Sequence, residues 1–401
     1  MDQPAYVLVF QHVFDDWMEC GVVFDRCRFG IGPGESVGWG LIADMSVQTW
    51  QQAFISCVLG SFLAAFVVVG MARPGVMYHV AYAVLARGVM GMYGSYFFIF
   101  IRAVICIVWY GIQTFYAANL MSVCLRCIFG HHWTDFPNSL PMGANVTSGQ
   151  LLCFFLIWLL ELPFMFVHPT KIHYLFTVKG IIMPITVFGF FGWCMANGTG
   201  LRTIDSTNKS GEDASTAMPL GFSIMSGINV IMGTLSPMLV NQPDLSRYCQ
   251  RPRDAGWVQG AAVFGAKIIV FFLGMACTVS MQGRWGVAYW NIWDLLDAIL
   301  DHYWTASGRT GIFLVSLAFI LACFATNFGT NSIPFGSDCA GLAPKIFTIR
   351  RGQVLCAILG VALVPWELLA NADEFLSFLG SYNIFMAPPC AVRTVTFTTA
   401  F

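Results

Sequence analysis

A chain of 401 residues with 57% hydrophobic and only 10% charged side chains does not balance as a soluble domain, where about a quarter of residues are charged. The mean hydropathy of +0.69 agrees, because a water-soluble fold of this size could not hide so much apolar surface in its own core. A net charge of −1 gives no electrostatic basis for nucleic-acid or acidic partners, and the lipid bilayer is the expected solvent.

About 20 mostly apolar residues cross a bilayer. On that measure the sequence predicts helices near 36–51, 53–71, 96–124, 149–167, 174–195, 219–240, 257–279, 311–333, 353–369 and 375–391. The third is the longest and is expected to tilt or project beyond the lipid. The chain divides into an atypical N-terminal segment (1–35), a first set of five helices (36–195), an extracellular loop (196–218), a second set of five (219–392) and an atypical tail (393–401). Met1–Phe14 lacks the basic start and cleavage site of a secretory signal, so the first span is expected to direct insertion. The fourteen cysteines are scattered through apolar runs and read as packing residues, with no metal site or disulfide framework.

Basic residues set the orientation. The loops after even-numbered spans carry Arg73, Arg87, Lys171, Arg247, Arg251, Arg253, Lys345, Arg350 and Arg351. Those after odd-numbered spans carry Arg126, Arg202, Lys209, Arg284 and Arg309, so the even loops are expected in the cytoplasm. The sequons at Asn145, Asn197 and Asn208 all fall in the loops this rule puts outside.

Polar groups inside a span mark function by default. In the third span Trp109 and Gln113 are four apart and share a helix face. The pair suits a flat heterocycle, stacked on the indole and read by the amide; it equally suits a packed Trp beside an amide that joins helices. In the eighth span Asn327 and Asn331 are also four apart, with Thr326 and Thr330 beside them, so this face lines a cavity or meets another helix. The sixth span carries Gly221, Gly227, Asn229, Gly233 and Pro237 and is expected to be interrupted, as is the polar first span around Asp44–Thr49, which includes Gln48. First and sixth are equivalent positions in two five-helix halves, the pattern of an inverted repeat. Arg102, Lys179 and Lys267 read as charges that snorkel or cap helix ends. No grouping of His, Asp and Ser points to an enzyme.

Six ordered blocks carry a family resemblance. They are Arg73-Pro-Gly-Val-Met-Tyr-His79, Ala86-Arg87-Gly with Gly91 and Gly94-Ser95, Arg102-Ala with Trp109-Tyr-Gly-Ile-Gln113, Asn241-Gln-Pro-Asp244-Leu-Ser-Arg247-Tyr, Thr326-Asn327 with Asn331-Ser332 and Gly336-Ser-Asp338, and Ile349-Arg350-Arg351-Gly352. Together they resemble the nucleobase/cation symporter family, most closely its fungal uracil, uridine and allantoin permease branch. The resemblance implies an all-α, multi-pass fold of two inverted five-helix repeats with discontinuous first and sixth helices. It implies a plasma-membrane symporter for a nucleobase, nucleoside or allantoin, with no cofactor beyond the coupled cation. Trp109, Gln113 and Asn331 would contact the substrate, while Gln48, Thr326, Asn327 and Asn229 are candidates for the substrate or cation vicinity. Thr326 is kept but its neighbour is Ala325 where sodium-coupled relatives have a hydroxyl, which favours H+ over Na+. The family's basic tail, the first half of its first helix and its last two helices are not visible. The expectation is therefore of a shortened chain, with a non-transporting fragment, or a permease for thiamine or cytosine, as the alternatives.

Overall fold

The structure is a computed structural model that describes residues 50–166, 173–200, 220–247, 257–370 except 288 and 290, and 381–391 except 389. The described residues are helical and contain no strand. The helices are α1 (Trp50–Tyr78), α2 (Tyr82–Phe129), α3 (His131–Thr134), α4 (Ser148–Met165), α5 (His173–Asn197), α6 (Leu220–Ser246), α7 (Trp257–Trp285), α8 (Ile292–His302), α9 (Ala306–Thr326), α10 (Ile333–Leu342), α11 (Ile349–Ala362) and α12 (Pro365–Ala370). A π segment, Asn327–Ser332, joins α9 to α10.

Seven runs among the described residues are long and apolar enough to cross a membrane: α1, α2, α4, α5, α6, α7 and the continuous α9–α10 run. They match the second to eighth expected spans. The first expected span, and Gln48 with it, lies outside the described residues. The ninth is not one span. Ile349–Ala362 is 14 residues, or roughly 21 Å at 1.5 Å per residue, too short to cross alone. The chain turns at Val364, φ 50°, before Pro365 opens α12. Of the tenth, 381–388 is helical.

Local chemistry accounts for several boundaries. Thr147 caps α4, accepting from the Gln150 amide while the Gln150 side chain accepts from the Thr147 amide. Thr305 and Thr348 cap α9 and α11 in the same way through their hydroxyls. Within α2, Gly91 has φ 71° and ψ 176°, a conformation that side-chain-bearing residues rarely adopt, so the long helix bends there before its membrane portion begins. The expected break in the sixth span is not found: α6 runs without interruption from Leu220 to Ser246. Pro237 has no N–H for the Gly233 carbonyl four residues back, and the Tyr382 hydroxyl donates to that carbonyl instead. The helix therefore continues past its proline.

Two groups of helices follow from packing. α1 packs on α6 and α7 around Ala64, Val68, Ile231 and Leu235. α2 packs on α4, α9, α10 and α11, with Tyr110, Phe328, Phe335 and Ala357 at one of their shared cores. α5 touches both groups through α7 and α9. Large apolar side chains such as Leu159, Ile181 and Ile185 point outward, as a lipid-facing surface requires. All described cysteines are buried.

Candidate functional site

The third and eighth expected spans meet where their polar residues are densest. Trp109 and Gln113 on α2, and Thr326, Asn327 and Asn331 on α9 and the π segment, are all buried. The Asn327 amide nitrogen donates to the Thr114 hydroxyl at 3.0 Å, to a Glu161 carboxylate oxygen at 3.1 Å and to the Tyr110 backbone carbonyl at 3.3 Å. The Asn331 amide nitrogen then donates to Asn327 Oδ1 at 3.0 Å. Glu161, reaching in from α4, also accepts from the Tyr110 hydroxyl at 2.6 Å and from Thr114 at 3.1 Å. The π segment supports this arrangement, because its wider turn breaks the regular carbonyl ladder, as single π turns at functional sites commonly do.

Helix spacing next to the site is unusually close. A Cβ on Gly111 would lie 2.7 Å from the Gly360 carbonyl, and one on Gly360 would lie 2.6 Å from the Tyr110 ring. Only glycine lets α11 approach α2 closely enough to hold Tyr110 against Glu161. Gln113, one residue before Thr114, has a buried carbonyl oxygen with no hydrogen-bond partner among the described residues. Such an atom is costly unless something else fills its need. Asn229 on α6 is exposed.

The three charges read as snorkelling or capping residues are buried instead. Lys179 on α5 is fully buried, and its ammonium donates to the Thr326 hydroxyl at 3.2 Å. Lys267 is 5% exposed. Arg102 is 1% exposed and binds two carboxylates, Asp244 at 2.6 Å and Asp338, together with the Asn241 side-chain oxygen at 3.2 Å. Its guanidinium also lies over the Tyr82 ring, 3.9 Å from the centroid. A charge buried among helices lowers its cost by pairing. The Asn241 amide donates at 2.6 Å to the Thr330 carbonyl in the π segment. One polar system therefore ties α6, α2 and α10 together beside the π segment.

A family of permeases, described as permease for cytosine/purines, uracil, thiamine, allantoin, matches residues 36–397. The chain belongs to this nucleobase–cation symporter family. Among its curated relatives are the uracil permease of Saccharomyces cerevisiae, 31% identical over 91% of this chain and 58% of the relative, and the allantoin permease of the same yeast, 31% identical over 90% and 56%. A uridine permease of that yeast is 29% identical over 84% of this chain and 53% of its own length. The chain thus spans a little over half the length of these symporter relatives. Among solved structures it resembles Mhp1, a nucleobase–cation symporter crystallised closed with bromovinylhydantoin bound. The TM-score is 0.69 at 16% identity, covering 98% of this chain and 77% of that one. The inward-facing form of Mhp1 gives 0.67 at 15% identity, with the same coverage. The relatives are permeases and transporters, and the chain is a multi-pass membrane protein of this family.

Two residues of the polar layer were missed or misassigned in the sequence reading. Glu161 is one acid in the apolar run Cys153–Met165, and a carboxylate inside a span was signal enough. Lys179 was noticed but assigned to a helix end; its partner Thr326 is 147 residues away, a pairing that no local pattern records.

Proposed function

We propose that the chain is a secondary active importer that carries a nucleobase-like ring, of the uracil, uridine or allantoin type, across the plasma membrane with a proton by alternating access. The reading rests first on one observation: the buried Gln113 carbonyl oxygen without a partner, one helical turn from Trp109 and in the same polar layer as Asn331. An indole face and two amides suit a flat ring with a polar edge, the ring stacking on Trp109 while Gln113 and Asn331 bond its edge. The names of the relatives supply the substrate class.

Proton coupling is favoured by the surroundings of Thr326. Residue 325 is alanine, and the Thr326 hydroxyl already accepts from the Lys179 ammonium. A sodium ion would have to share that oxygen with the Lys179 amine, whereas a proton needs only a group that can gain and lose it. Two five-helix repeats, 36–195 and 219–392, would rock about this layer, and only a cation with different affinity for the two states can drive the cycle.

Uptake of labelled uracil, uridine and allantoin by a permease-deficient host, with and without a proton gradient, tests the reading. Transport of at least one ring that collapses with the gradient is expected. Trp109→Ala should abolish it at normal surface expression, and Asn331→Ala should lower affinity more than maximal rate. Undiminished uptake by Trp109→Ala overturns the stacking role, and uptake that follows sodium but ignores the proton gradient overturns the coupling.

A further inference from the structure

The run of amides that ends at Asn331 has a single workable polarity. The Tyr110 backbone carbonyl can only accept a hydrogen bond, and it lies 3.3 Å from the Asn327 side-chain nitrogen. Turned the other way, Asn327 would set its own carbonyl oxygen against that carbonyl, with no proton to join them. The NH2 group of Asn327 therefore faces Tyr110, Thr114 and Glu161, whichever way an amide might be drawn. Its Oδ1 consequently faces Asn331, and an acceptor there obliges Asn331 to donate, as its nitrogen does at 3.0 Å. The Asn331 carbonyl oxygen is left over and takes no hydrogen bond among the described residues. Gln113 has no such constraint: its carbonyl oxygen has no partner among the described residues to hold it, so its amide can present either end.

We propose that Glu161 and Asn327 are positioning residues that lock Asn331 as a hydrogen-bond acceptor, so that the site selects rings whose polar edge offers an N–H, as lactams, imides and cyclic ureides do. This rests on the reading above that Asn331 meets the substrate. Neither Glu161 nor Asn327 needs to touch the ring. Glu161 holds the pivot from one side, with both of its oxygens occupied by Tyr110, Thr114 and Asn327. A locked acceptor discriminates more sharply than an amide free to rotate, because a ring lacking the N–H leaves the Asn331 oxygen unsatisfied and the amide cannot turn over to compensate. The pair Gln113 and Asn331 thus divides the work: Asn331 sets which edge is accepted, and Gln113 adapts to the atom beside it.

The test uses the purified full chain and displacement of labelled uracil by uracil and by its two oxazinedione analogues, in each of which one ring N–H is replaced by oxygen without added bulk. In the wild type one of the two analogues should displace uracil roughly tenfold more weakly, or worse. In Asn327→Leu, where Asn331 is free to turn its NH2 group to the ring oxygen, that ratio should fall towards one. Glu161→Gln should keep the wild-type ratio, since an amide oxygen still accepts from Asn327, while Glu161→Leu should reduce it. A purely structural role would weaken all ligands alike and leave the ratio unchanged. Wild-type protein that binds both analogues as well as uracil overturns the proposal, whatever the folding of the variants. If Trp109→Ala loses binding in that same experiment, the ring site stands and only the polarity of Asn331 falls. If wild-type protein binds neither uracil nor allantoin, both readings fall.

Discussion

Replacing Arg102 by methionine keeps most of the side-chain volume and removes a cation that bonds both Asp244 and Asp338. Both acids are buried, Asp244 at 3% exposure and Asp338 at 0%. The variant leaves Asp244 with the Tyr82 amide at 3.2 Å and takes from both buried acids the guanidinium that balances their charge. Removing one partner of a buried ion pair costs about 3–5 kcal/mol. That is a large share of the roughly 5–15 kcal/mol that holds a typical fold. Heating detergent-solubilised Arg102→Met and following the fraction that stays monodisperse should show a clearly lower midpoint than wild type. The triple variant Arg102→Met, Asp244→Asn, Asp338→Asn removes the two acidic charges as well and should recover roughly half or more of the loss, because desolvation and attraction nearly cancel in the intact cluster. A midpoint equal to wild type for the single variant, or a triple variant as unstable as the single, would refute the view that the cluster is a balanced charge set.

Other predictions draw on single contacts. Tyr382→Phe should cost about 1 kcal/mol by leaving the Gly233 carbonyl unpaired, and Pro237→Ala should erase that cost by restoring an amide donor; equal costs in both backgrounds would count against the pairing. Gly360→Ala should lower the melting midpoint by the equivalent of about 1–3 kcal/mol, since its Cβ would press on the Tyr110 ring, and a neutral result would mean that α2 and α11 separate freely. Lys179→Met should keep ring binding but lose the response of uptake to a proton gradient; an intact response removes Lys179 from the coupling.

Most of the fold was legible because its signal is local. Seven expected spans recur as helices, since an apolar run long enough to cross lipid has no other stable conformation there. The misreadings share a different origin. The Gly and Pro content of α6 argued for a break, but the deciding atom is the Tyr382 hydroxyl, 149 residues from the Gly233 carbonyl it satisfies. Arg102 reads as a snorkelling charge until Asp244 and Asp338 are known to flank it, 142 and 236 residues on. The ninth span failed for a local reason that hydropathy does not weigh: Pro365 follows a turn at Val364 and starts a new helix.

Within the site the division is the same. Trp109 with Gln113, and Asn327 with Asn331, were legible as pairs because a period of four on one helix is visible in the sequence. What the sequence could not show is which end of each amide points where. That depends on the Tyr110 carbonyl, on Glu161 from α4 and on the glycine contact that lets α11 approach α2. A spacing rule identifies residues that share a face; only acceptors brought in from other helices fix whether such a residue gives or takes a hydrogen bond. For the proposed recognition of a flat ring, that choice bears more directly on selectivity than the presence of the amide itself.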